Sequence, residues 1–166
     1  MSIKTLITAG AAMVVALSVQ AQQDQGMGMQ HMQHQQAPGA APVQDARVIV
    51  RFPEEFRLHT LGNMRDHLLA LGEIQEALSR EEYEKAGEIA ELRLGMSALE
   101  SHGAFERSQF MPKEMQAIGS EMHHAASRFA VTAHDAAVTD DVKPVLAQLG
   151  QLIRQCVACH NGFRVQ

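Results

Sequence analysis

Several things are scarce in this 166-residue chain, and each scarcity excludes something. Cysteine occurs only at Cys156 and Cys159, so a disulfide-dense scaffold is ruled out. There is no block of lysine or arginine, and the formal net charge is −5, so nucleic acid is not an expected partner. After the N-terminal stretch no apolar run is long enough to span a bilayer. No internal repeat is present, and only "RVIVRF" shows any strand alternation.

What is present begins with a short basic start, "MSIK", and an apolar run, "LITAGAAMVVALSV". Small residues at Val19 and Ala21 then complete the pattern of a secretory signal peptide, with cleavage expected after Ala21. A membrane anchor is the rival reading, but the run has only about fifteen strongly apolar residues, short for a span. Residues 22–46 are rich in Gln, Gly, Ala and Pro and read as a disordered tether. Met27, Met29, Met32, His31 and His34 in this tether are thioethers and imidazoles of the kind that bind Cu(I); incidental low complexity is the simpler account.

From Pro53 onward the apolar spacing is helical. Pro53 with Glu54 and Glu55 opens a first helix whose stripe is Leu61, Met64, Leu68, Leu71 and Leu78. Ser79 with Glu82 has the spacing of a capping box and predicts a second helix running to Gly103, with Ala86, Ile89, Leu92, Met96 and Leu99 inward. Pro112 opens a third, with Met115, Ile118, Met122, Ala125 and Phe129 on one face. Asp140 or Asp141 caps a fourth, with Pro144 in its first turn, and Leu149, Leu152, Cys156, Cys159, His160 and Phe163 share a face. Four helices with short connections predict an all-α fold, an antiparallel four-helix bundle over residues 47–166. The methionines at helical spacing are read as core fillers.

The chain ends in "CVACHNGFRVQ". C-x-x-C-H is the attachment signature of c-type haem. Two thiols three residues apart on a helix reach the two vinyl groups of one macrocycle, and the next residue, His160, lies under the iron as an axial ligand. Three rivals are weaker. A thioredoxin-like pair belongs at a helix N-terminus after a strand, whereas this pair lies near a helix C-terminus. A zinc site would have to borrow His123 and His124, which point about 100° apart on a helix. A bare disulfide has no use for His160.

A C-terminal "CVACHNGFR" on the last of four helices resembles the class II c-type cytochromes, the cytochrome c′ family. The resemblance is specific over residues 156–164 and rests on helix pattern over about 53–155. It implies one covalent haem c at one end of the bundle, with His160 as proximal ligand and Arg164 as a basic neighbour at the haem edge. It also implies that the start of the first helix faces the iron. Met64 there would complete the coordination of an electron carrier. Leu61 there would leave the iron five-coordinate and open to small gases such as nitric oxide or carbon monoxide; His67 is an outside candidate. The expectation is a periplasmic mono-haem electron carrier, not an enzyme, with redox proteins as partners, no membrane span after signal cleavage, and a homodimer by resemblance.

Overall fold

The computed structural model describes residues 44–166. The expected leader, the Met/His cluster and all of the tether before Gln44 lie outside the described residues. Two short strands and five helices follow in order: β1 (Val48–Val50), α1 (Glu54–Ser79), α2 (Tyr83–Arg93), α3 (Ala104–Ser108), α4 (Lys113–Thr139), α5 (Val142–Gly162) and β2 (Phe163–Val165). The fold is all-α apart from one ribbon of two parallel strands. No helix among the described residues is long and apolar enough to cross a membrane.

Helix starts follow the local chemistry. Pro53 and Pro112 stand immediately before α1 and α4, where a missing N–H leaves no helical bond unmade. Asp141 caps α5, accepting a hydrogen bond from the Lys143 amide at 3.0 Å. The Ser79/Glu82 capping box does not form. Ser79 is the last residue of α1 and its hydroxyl donates to the Glu76 carbonyl, while Glu81 takes a left-handed φ of 59° to turn the chain.

The expected second helix stops ten residues early, at Arg93 instead of Gly103. Gly95 is extended there, and a Cβ would collide with Glu91. The Glu91 carboxylate accepts from the Ser97 amide and hydroxyl, which holds the break. The chain then makes a 3-10 turn at Met96–Ala98 before α3. Two other expectations fail with this register. Leu92 and Met96 are exposed, and Leu68 of α1 is 71% exposed.

α1 packs on α2, α2 on α4, and α4 on α5. The shared core is rich in alanine: Ala70 and Ala77 of α1, Ala86 and Ala90 of α2, and Ala125, Ala126 and Ala133 of α4 are fully buried around Ile74 and Phe129. Small side chains allow close backbone approach. At Gly87 an added Cβ would lie 3.1 Å from the Ala130 carbonyl oxygen.

α1 and α5 are joined differently. β1 and β2 pair in parallel with Val48 opposite Phe163 and Val50 opposite Val165. The Gln166 amide donates to the Val50 carbonyl at 3.0 Å. The start of α1 therefore lies beside the end of α5, as expected, yet the two helices are not among the closely packed pairs. Phe163 belongs to this ribbon; the α5 face ends before it.

Candidate functional site

Cys156, Cys159 and His160 occupy the last two turns of α5. Both thiols are free and half-buried, and His160 is exposed. Cys156 Sγ lies 3.8 Å from the Leu152 carbonyl. Cys159 packs beside a small apolar cluster of Val50, Phe52 and Met115, with Phe56, Phe110 and Phe163 around it. Burial pushes both thiols above the usual cysteine range. Such thiols are poor thiolates, which disfavours a thioredoxin-like exchange pair.

The ribbon fixes this end of α5. Arg47 Nη1 donates to the His160 carbonyl at 3.4 Å, satisfying one of the last helical acceptors. Arg164 Nε stands 3.5 Å from the Asp45 carboxylate, an ion-pair distance without a hydrogen bond. The Arg47 guanidinium also hydrogen-bonds Asp45 and holds its carboxyl well below the usual range. Arg164 is thus engaged at the ribbon.

The apolar core is not continuous along the molecule. One cluster ends at Ala70, Leu94, Ala125 and Leu152; the other begins at Phe56, Met115 and Cys159. Outside both clusters the buried side chains are Ala98 and the polar Thr60, His102, Arg107 and His123. This is the level of Leu61, Met64 and the Cys156 turn.

Two unpartnered flanks border the same level. Successive helical residues turn by about 100°. On α1, Asp66 and Glu73 fall on one side of the Thr60–His67–Ile74 stripe, and both are paired to Arg93 of α2, Nε of which donates to Asp66 at 3.1 Å. That flank faces α2. Leu61, Met64 and Leu68 lie on the opposite flank. On α5, Gln148 shares a cleft with His124, Ser127 and Arg128 of α4, so its flank faces α4. Leu146, Ile153, Val157 and His160 lie on the other. Leu146, Ile153 and Val157 are 53%, 38% and 50% exposed. Both apolar flanks therefore border the α1–α5 slot, whose two sides are tied at one end by the ribbon.

Three imidazoles lie in a row, each ring tilted by 45° to the next. The His67 and His102 rings are 4.9 Å apart and the His102 and His123 rings 5.5 Å apart. His123 Nδ1 hydrogen-bonds the Leu94 carbonyl at 2.8 Å, which commits that ring to the helix break. His67 Nε2 and His102 Nδ1 are buried without partners. Burial, and then the neighbouring rings, lower His67 and His102 to about 4. His67 Nε2 thus lies in the interior without a hydrogen-bond partner. The burial of His102 and Arg107 was not legible, because His102 lies in the turns after α2 and Arg107 in the five-residue α3, too short for a helical period to signal inward direction. Among the described residues no group of three or more His, Cys, Asp or Glu side chains is arranged to hold a metal ion.

No family model, curated protein or solved structure matches this chain.

Proposed function

We propose that this chain is a mono-haem c-type cytochrome that carries single electrons, with one haem c in the slot between α1 and α5. The observation that supports the reading is that Leu68 of α1 and Ile153 and Val157 of α5 are exposed apolar side chains on two helices that are not closely packed, with Val157 directly beside Cys156 in the chain. A folded domain rarely leaves two facing apolar stripes wet unless something covers them. A flat apolar macrocycle with two vinyl groups fits that slot and those thiols.

In this reading α1, α2, α4 and α5 form an antiparallel four-helix bundle of the class II c-type cytochrome kind. Cys156 and Cys159 anchor the haem by thioethers, and His160 supplies the proximal imidazole. When bound, the haem iron takes up and gives back one electron. The apolar flanks exclude water from its surroundings, which raises the cost of the more charged ferric state. Met64, on the slot flank of α1, supplies the sixth ligand. Redox proteins are the partners, and the leader would place the carrier in the periplasm.

Leu61 shares that flank, one turn nearer the ribbon. This supports a second reading, in which Leu61 covers a five-coordinate iron that binds carbon monoxide or nitric oxide. One experiment separates all three possibilities. The full chain is expressed with a c-type maturation system, and its mass and its spectra in both redox states are recorded, with and without carbon monoxide. The carrier reading expects one covalent haem, a low-spin spectrum that turns high-spin in Met64→Ala, and slow carbon monoxide uptake. A high-spin wild type with rapid uptake selects the gas binder. A mass equal to the bare polypeptide removes both.

A further inference from the structure

Arg107 of α3 is charged, buried and uncompensated. Its side chain is only 6% exposed. Nη1 donates to Thr60 Oγ1 at 3.0 Å, and that hydroxyl in turn donates to the Phe56 carbonyl at 2.7 Å. Nε is buried with no partner. None of the ion pairs among the described residues includes Arg107. An arginine does not escape by losing its proton, so a buried guanidinium without a counter-ion is costly.

The same side chain lines an open cleft of about 340 Å³ between the first turns of α1 and α3. Glu55, Phe56 and His59 come from α1, and Gly103 and Glu106 from the other side. His59 Nε2 lies 3.1 Å from the His102 carbonyl and so ties α1 to the chain entering α3. Glu55 and Glu106 are exposed, and neither belongs to an ion pair among the described residues. The cleft is therefore positive inside and negative at its rim. A simple anion is repelled by the two carboxylates before it reaches the guanidinium. An organic cation gains the rim but leaves the guanidinium unpaired. A molecule with a charge of each sign satisfies both, and the half-buried Phe56 offers its carbon chain an apolar surface.

We propose that the cleft between α1 and α3 binds a small zwitterion, an amino acid or a short aminocarboxylate. Its carboxylate pairs with the guanidinium of Arg107, whose planar fork matches that group, and Thr60 holds the fork in place. Its ammonium group is received by Glu55 and Glu106. The cleft shares no residue with the haem site proposed above, so the two readings stand or fall separately.

The test is calorimetric titration of the full chain with glycine, β-alanine and γ-aminobutyrate, which differ in the separation of their two charges. Propionate and propylamine are the single-charge controls. At least one zwitterion binds, about tenfold or more tightly than either control. Arg107→Gln weakens that binding by about tenfold or more, and Arg107→Lys recovers part of it. Glu55→Gln and Glu106→Gln replace exposed side chains, so both variants keep the wild-type circular dichroism, and each weakens the zwitterion while leaving propionate no weaker. If Arg107→Gln does not fold, the two glutamate variants decide. Absence of zwitterion binding at about 10 mM overturns the proposal, as does propionate binding as tightly as any zwitterion, or an affinity unchanged in both glutamate variants. A chain that binds nothing and loses stability in Glu106→Gln shows instead that Glu106 itself neutralises Arg107 in solution, which also overturns it.

Discussion

Val50 and Val165 are partners across a parallel ribbon that ties the chain just before α1 to the chain just after α5. The pair is small but spans most of the described sequence. Val50 is buried against Phe52 and Met115, and Val165 packs on the same cluster. Parallel strands need a long crossover, and here α1 through α5 together form it. The ribbon sets the spacing of two helices that otherwise scarcely touch.

Removing Arg164–Gln166 takes away all of β2 but Phe163 and exposes Val50. The expected loss is about 1 to 3 kcal/mol, from apolar burial and ladder hydrogen bonds together. Urea denaturation followed by circular dichroism measures it. Helix content before the transition stays near wild type, because the helices do not depend on the ribbon for their own bonds. An unchanged midpoint would show that the strands are ornamental.

Gly62 and Gly87 make a matched pair. Both are helical, and alanine in a helix is favoured over glycine by roughly 0.8 to 1 kcal/mol. Nothing lies within 4 Å of a Cβ placed at Gly62. At Gly87 it would meet the Ala130 carbonyl at 3.1 Å and His134 Nε2 at 3.3 Å. Gly62→Ala therefore stabilises the chain, and Gly87→Ala destabilises it or gains nothing as α2 is pushed from α4. Chemical denaturation of the two variants side by side reads the difference, and equal effects would mean the helices have room to spare.

His67 and His102 predict a specific acid weakness. Burial holds both near 4, below the ordinary value of 6.5. Above 6.5 both rings are neutral whether the chain is folded or not, and stability is full. As pH falls from 6.5 to about 4 the unfolded chain binds protons that the folded chain refuses, so stability drops across that window. The drop is up to roughly 3 kcal/mol per ring. His67→Leu flattens the decline between pH 6.5 and 4.5. A wild-type denaturation midpoint that is the same at pH 7 and pH 4.5 would contradict the burial of these rings.

The parts of the fold that were legible in the sequence are those fixed by local chemistry. Pro53, Pro112 and Asp141 mark helix starts because a proline ring and a short carboxylate act within one turn. The failures share a cause. Helical period alone does not say how wide the buried stripe is, so it points Leu68 and Leu92 inward although both are exposed. The break at Gly95 depends on Glu91 and on His123, a residue far away in sequence, and no local signal announces it. The helical placement of Cys156, Cys159 and His160 was legible because their apolar spacing continues the stripe of Leu149 and Leu152. Arg107 was not, because only the tertiary fold brings it under Thr60.

The slot makes one further prediction, drawn from residues that no attachment motif names. Leu68 and Ile153 lie on facing flanks and are substantially exposed, so in the apo chain Leu68→Glu and Ile153→Glu should each change stability by no more than about 0.5 kcal/mol. In the matured protein the same carboxylates would be forced against an apolar macrocycle or would have to expel it from the slot. The expected cost there is about 2 kcal/mol or more. Thermal or urea unfolding of both forms, apo and matured, gives the difference directly. Leu92→Glu on α2 serves as the control, since it is about as exposed as Leu68 and lies on neither α1 nor α5, and it should be neutral in both. If Leu68→Glu and Ile153→Glu behave like Leu92→Glu in the matured protein, the proposed place of the haem between α1 and α5 is wrong.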